Sequence, residues 1–149
     1  MNFFVRMERY LKILLILTLC FGASPALFAQ EPPLTPEEKE KKFYEFLEKE
    51  VERYESNLKL ESWQVFYVDS ILTHDYKAMQ EEFESLQARK VENAALYEAA
   101  RDKWMQRIYD SFHRVLDENQ WAKYLKSGAG REQKAREKRA AKQAAIKQK

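Results

Sequence analysis

His74 and His113 are the only imidazoles in this chain of 149 residues, and each has a carboxylate nearby: Asp75 follows His74, and Asp110 precedes His113 by one helical turn. A histidine paired with a carboxylate can serve as a general base or bind a metal. Neither histidine belongs to a His-x-x-x-His or Cys-pair spacing, so neither a catalytic nor a metal-ligating set is expected. Glu81 and Glu82 are adjacent carboxylates, but they stand among other charges, where solvation is explanation enough. Gly128 and Gly130 are the only glycines after Gly22, which leaves no glycine-rich loop to cradle a phosphate and no candidate site for ATP. The expectation is a protein that is not an enzyme, has no cofactor and acts by binding.

The single thiol, Cys20, lies in a segment with the marks of a secretory signal. Arg6, Arg9 and Lys12 form a positive region, Ile13 to Leu19 an apolar one, and Ala29 precedes a change to polar composition at Gln30. Residues 1–29 are expected to be cleaved on export. Two alternatives are an uncleaved membrane anchor and a lipoprotein acylated at Cys20. Gly22, Ser24 and Pro25 interrupt the apolar run that an anchor needs, and the bulky Leu19 before Cys20 is unlike a lipid-attachment site. Cleavage removes the only cysteine, so the remainder must be held by packing alone.

The chain must build its fold from helices. About 90 consecutive residues after Pro36 contain neither proline nor glycine. Phe43, Leu47, Val51, Tyr54 and Leu58 form one apolar stripe; Val65, Val68, Leu72, Tyr76, Met79, Phe83 and Leu86 form a second. Tyr97, Trp104, Ile108, Phe112 and Val115 form a third, all at helical spacing. Capping boxes mark two starts, Thr35 with Glu38 and Asp117 with Gln120. The first helix should run from Thr35 to about Asn57 and the last, short one from Asp117 to about Ser127. A third start lies at Leu60 to Gln64, where Glu61 is a poor cap and Ser62 is the better candidate. From Ser62 to Leu116 two helices folded back on each other are expected, with the turn near Lys90 to Asn93. One uninterrupted helix of about 80 Å is the alternative, and it would need a partner chain along its apolar side. The fold class is therefore all-α, a small bundle or bent cradle of about four helices with a long central hairpin.

Charge is unevenly spread. Residues 131–149 carry a net charge of +6 and residues 30–130 a net charge of −6. The segment 128–149, rich in Ala and Lys, reads either as a solvated or disordered tail or as an electrostatic arm for an acidic partner or an anionic membrane surface. Nucleic acid is not an expected partner of an exported chain. Of the 20 aromatic residues, 15 lie beyond residue 29, a large load for so small a helical set. Tyr67 and Ile71 fall away from the main stripe of their helix and Phe66 points to its flank, while Met105 and Tyr109 widen the apolar face of the next. Core packing is one reading; a surface for client chains or for a second copy is the other.

Leu60 to Gln64 and Leu116 to Gln120 both have the form Leu-x-x-x-Gln, 56 residues apart, with Leu34-Thr35-Pro36-Glu37-Glu38 as a third relative. Over residues 58–127 this resembles the Spy/CpxP family of small periplasmic proteins, whose mark is an LTxxQ motif at helix starts. In these copies Asp117 stands where the family has Thr, and Glu38 where it has Gln, both able to serve in a cap. The resemblance implies a periplasmic, four-helix cradle that pairs as a homodimer and binds unfolded or partly folded envelope proteins without ATP, or limits envelope stress signalling. The competing expectation is a structural or regulatory protein reserved for one envelope partner such as a stress sensor.

Overall fold

The computed structural model describes residues 35–147, with side chains to residue 145. The expected signal segment, Cys20 and Leu34 lie outside the described residues. Among the described residues five α-helices follow one another: α1 (Pro36–Leu58), α2 (Ser62–Ala88), α3 (Ala94–Val115), α4 (Glu118–Tyr124) and α5 (Gly130–Lys147). There is no strand among the described residues. The all-α small bundle expected from the periodicity is the fold that forms.

Helix α1 begins as its sequence dictates. Thr35 Oγ1 accepts the Glu38 amide at 3.2 Å, the Glu38 carboxylate accepts the Thr35 amide at 2.8 Å, and Pro36 occupies the first helical position. The Thr35 amide first, and then the Thr35 hydroxyl, hold the Glu38 carboxyl below its usual range. α2 starts differently from expectation. Glu61, not Ser62, is the N-cap, and its carboxylate takes the Trp63 indole N–H at 2.7 Å, while Gln64 Oε1 accepts the Glu61 amide at 2.9 Å. Gln64, three positions on, thus completes the box from its far side by accepting the amide of the cap residue.

The central hairpin closes where expected, with α2 ending at Ala88 and Asn93 capping α3 through the Ala95 amide at 3.0 Å. It does so without glycine. Lys90 takes the left-handed conformation (φ 53°), as Lys59 does after α1 (φ 57°), and the Val91 and Leu60 amides then reach back to the carbonyls of Leu86 and Glu55. Left-handed backbone costs a residue with a Cβ about 1–2 kcal/mol, which glycine avoids at the expense of a looser unfolded chain. Lys90→Gly is therefore expected to stabilise the protein by about 0.5–1 kcal/mol, read as a higher denaturant midpoint with an unchanged slope.

The core lies where α1, α2, α3 and α4 meet. Val68, Leu72 and Phe112 are sealed from solvent, with Leu47, Val51, Leu58, Ile108, Leu116 and Tyr124 around them. Tyr54 and Tyr124 both pack on the Phe112 ring, at centroid distances of 5.1 and 5.2 Å. Farther along the hairpin, Glu82 of α2 accepts from Lys103 Nζ and Trp104 Nε1 of α3 at 2.5 and 2.7 Å. Bonding to Lys103 is the main reason the Glu82 carboxyl titrates below its usual range.

The basic segment departs from the solvated tail expected of it. After α4 the chain makes a wide turn over Leu125–Ala129, with Gly128 at φ 117°, a backbone region that favours glycine. α5 then runs antiparallel beside α3. Arg139 grips Asp102 through two bonds of 2.5 and 2.8 Å and lies 3.7 Å from Glu98, while Arg136 reaches Gln106. Part of the acidic partner sought by this basic arm is its own α3. The fork of Arg139 matches a carboxylate in a way that a mobile, fully hydrated tail could not exploit.

Candidate functional site

The two Leu-x-x-x-Gln segments meet. Gln64 and Gln120 open α2 and α4, and their side chains face each other in the interior, 3% and 6% exposed. Gln64 Nε2 donates to Gln120 Oε1 at 2.7 Å and Gln120 Nε2 donates to Gln64 Oε1 at 2.8 Å. Each Oε1 also accepts the N-cap amide of its own helix, from Glu61 at 2.9 Å and from Asp117 at 3.0 Å. The second Nε2 proton of each donates to the end of the helix before its partner: Gln64 to the Val115 carbonyl at 3.0 Å, Gln120 to the Lys59 carbonyl at 3.3 Å. Both amides use every donor and both acceptor positions, so a polar pair sits in an apolar interior without an orphaned group.

This arrangement explains the motif in physical terms. Leu58 and Leu116 are buried beside the glutamines, and Leu60 packs against the same core. The glutamine, besides capping its helix, locks the α1–α2 corner to the α3–α4 corner. Thr35 and Glu38 complete an equivalent box at the start of α1, but both are exposed. Of the eight positions marked by the motif, Leu34 lies outside the described residues, Thr35 and Glu38 act locally, and Leu60, Gln64, Leu116, Asp117 and Gln120 build the clasp.

The two histidines have different surroundings. Asp75 is buried, accepts from His74 Nδ1 at 2.7 Å, and pairs with Arg107 of α3 at 3.0 Å, so it ties the hairpin together. His113 lies against the Trp121 ring, with centroids 4.5 Å apart. Among the described residues no three His, Cys, Asp or Glu side chains gather where they would hold a metal ion.

The anticipated aromatic surface separates into two parts. Phe66 and Tyr67 are 70% and 51% exposed, and Trp63, one turn earlier, is 50% exposed; the three rings stack edge to face along α2, with Tyr67 5.7 Å from Phe66 and 6.1 Å from Trp63. Phe66 borders an open groove between α1 and α2 with Tyr44, Leu47, Val51 and Val65 in its walls and Glu48, Glu52 and Asp69 at its edges. Ile71, Met105 and Tyr109 do not belong to this face. They are partly buried against the core, and Tyr109 packs edge to face on Trp121 at 4.8 Å under the Arg136 guanidinium at 5.5 Å. The basic helix lies beside α3, where Arg136 covers the Tyr109 ring, and Met105 and Tyr109 are only partly exposed. Trp63 joins the face without having been expected there, although its spacing carries the signal: it precedes Phe66 by three and Tyr67 by four positions, so it shares their side of the helix.

No helix among the described residues is long and apolar enough to cross a membrane. Comparison with protein-family models, with curated proteins and with solved structures finds no match for this chain.

Proposed function

We propose that this chain is an ATP-independent, chaperone-like protein of the periplasm, of the Spy/CpxP kind, that holds unfolded or stress-exposed envelope proteins on an aromatic helix face. Export rests on the signal character of residues 1–29. The observation that carries the activity is the row Trp63, Phe66 and Tyr67, three large rings joined through Tyr67 and half or more exposed. Exposed contiguous apolar area of this kind marks a binding surface, because leaving it in water is unfavourable. Open on one side and bordered by carboxylates, the groove beside Phe66 admits an extended or helical apolar segment while charge keeps the complex soluble. A second copy of the chain, paired through the same face, would compete with client for it.

Dilution of a chemically unfolded model protein into buffer without nucleotide, followed by light scattering, tests this reading. Equimolar protein is expected to suppress aggregation of two unrelated clients. The triple variant Trp63→Ala, Phe66→Ala, Tyr67→Ala should retain its helical signal and lose most of that suppression, since surface truncations change stability by only about 0.5 kcal/mol each. Equal suppression by parent and variant would remove the aromatic row as the site, and no suppression by the parent would end the chaperone reading.

A further inference from the structure

A second concavity, away from the aromatic row, has a different chemistry. It is bordered by α1, α2, α3, the end of α4, the Gly128 turn and α5, with a volume of about 370 Å³. Small-molecule sites span about 300–1,000 Å³. Tyr54, Tyr76, Met105, Ile108 and Tyr124 form its wall. Around them stand five guanidinium groups, Arg53, Arg101, Arg131, Arg136 and Arg139, against only two carboxylates, Asp102 and Glu132.

Most of these cations have an anionic neighbour. Arg53 binds Glu50, Arg139 binds Asp102, and Arg101 and Arg131 lie 3.8 and 3.9 Å from Asp102 and Glu132. Arg136 does not. It donates to the amide oxygens of Gln133 at 2.6 Å and Gln106 at 3.4 Å, with its guanidinium 5.5 Å from the Tyr109 ring, and no carboxylate among the described residues lies within ion-pair range of it. Neutral partners fix its position and leave its charge uncompensated. A cation held this way is preorganised for an anion, because the ordering has already occurred before the ligand arrives. The tyrosines add neutral donors. Burial pushes the Tyr76 phenol up to about 12 and raises that of Tyr124 as well, so both keep their protons throughout the physiological range.

We infer that this pocket binds an amphipathic carboxylate, a fatty-acid-like monoanion whose headgroup lies against Arg136 and the tyrosine hydroxyls and whose apolar body lies along Met105, Ala129 and the partly exposed rings of Tyr54 and Tyr76. The single uncompensated guanidinium matches a single negative charge. The rim of cations disfavours a positively charged amphiphile, and a small hydrated anion gains nothing from Met105 and the tyrosine rings.

Calorimetric titration of the full chain with submicellar decanoate, and with decylammonium and acetate as the charge and length controls, tests the inference. Decanoate should bind saturably at one site, and neither control should. Arg136→Gln, which keeps much of the side chain and breaks no ion pair, should weaken decanoate by about tenfold or more. Tyr76→Phe with Tyr124→Phe should weaken it several-fold, and Lys142→Gln, outside the pocket on the same basic helix, should leave it unchanged. Equal binding of decanoate and decylammonium, or parent-like affinity in Arg136→Gln, would overturn the site. Should Arg136→Gln lose its helical signal, the double tyrosine variant decides, since it keeps both rings; unchanged affinity there overturns the inference equally.

Discussion

Gln120→Leu should lower the free energy of unfolding by about 3 kcal/mol, a larger effect than a surface glutamine has any reason to produce. The side chain is replaced by an apolar one of similar size, so the loss comes from the groups left behind. The Asp117 amide and the Lys59 carbonyl lose their partner, and Gln64 loses both an acceptor and a donor in a buried setting. Each buried polar group left unpaired costs about 1–3 kcal/mol, with part of it recovered by relaxation. Gln64→Leu should behave alike. In the double variant the amide pair is absent on both sides, so the combined loss should fall short of the sum by about 1–2 kcal/mol. Urea unfolding of the four proteins measures this coupling. Strict additivity would mean that the clasp is two independent caps. Glu38→Ala provides the contrast, since its box has the same local geometry but stands in solvent; it should fray only the first turn of α1.

Phe112→Ala should be more damaging still, by about 3–5 kcal/mol. The ring is fully buried at the point where α3 faces α1 and α4, and it makes an edge contact with Tyr54 and a tilted one with Tyr124. No neighbouring element can close the space, because those two rings are held by their own helices. Small domains have only about 5–15 kcal/mol in total, so the variant should melt about 10 °C lower or more and leave a measurable unfolded fraction at room temperature. Phe66→Ala, the same change on the exposed face of α2, should shift the melting temperature by little. The pair of measurements separates aromatic residues that hold the fold from those available to a partner. A Phe112→Ala melting curve indistinguishable from the parent would show that the central aromatic cluster is not where the stability resides.

Much of this architecture is legible in the order of the residues. Helical spacing of the apolar side chains identifies the stripes whose members Leu47, Val51, Leu58, Val68, Leu72, Ile108 and Phe112 form the core. The capping pattern marks Thr35 with Glu38 and Asp117 with Gln120, and each pair makes the bonds expected of it, whereas at α2 the cap falls on Glu61 and not on Ser62. The turn near Lys90 is likewise foreshadowed, although the absence of glycine leaves a continuous helix as an alternative. A lysine forced into left-handed backbone has no signature in composition, because the packing of α3 on α2 supplies the energy that imposes it.

The surface is harder to read. A helical wheel gives the direction of a side chain and not the neighbour that will cover it. Tyr109 and Met105 are therefore indistinguishable in sequence from truly exposed residues until α5 is seen beside α3. Likewise a run of basic residues reads the same whether its charges face water or a carboxylate 37 positions away, as Arg139 faces Asp102.

Residue order dictates the local events: which segments coil, where their ends are capped, which stripe of each helix avoids water. These depend on residues within about four positions of one another, so their physics is written in short-range spacing. Three outcomes belong instead to the packed molecule: Gln64 and Gln120 share one buried pair, α5 returns to α3, and Arg136 stands uncompensated over a wall of tyrosines. Each joins groups on different helices, 30 positions apart for Arg136 and Gln106, 37 for Arg139 and Asp102 and 56 for the two glutamines, and only the closing of the core brings such groups within bonding distance.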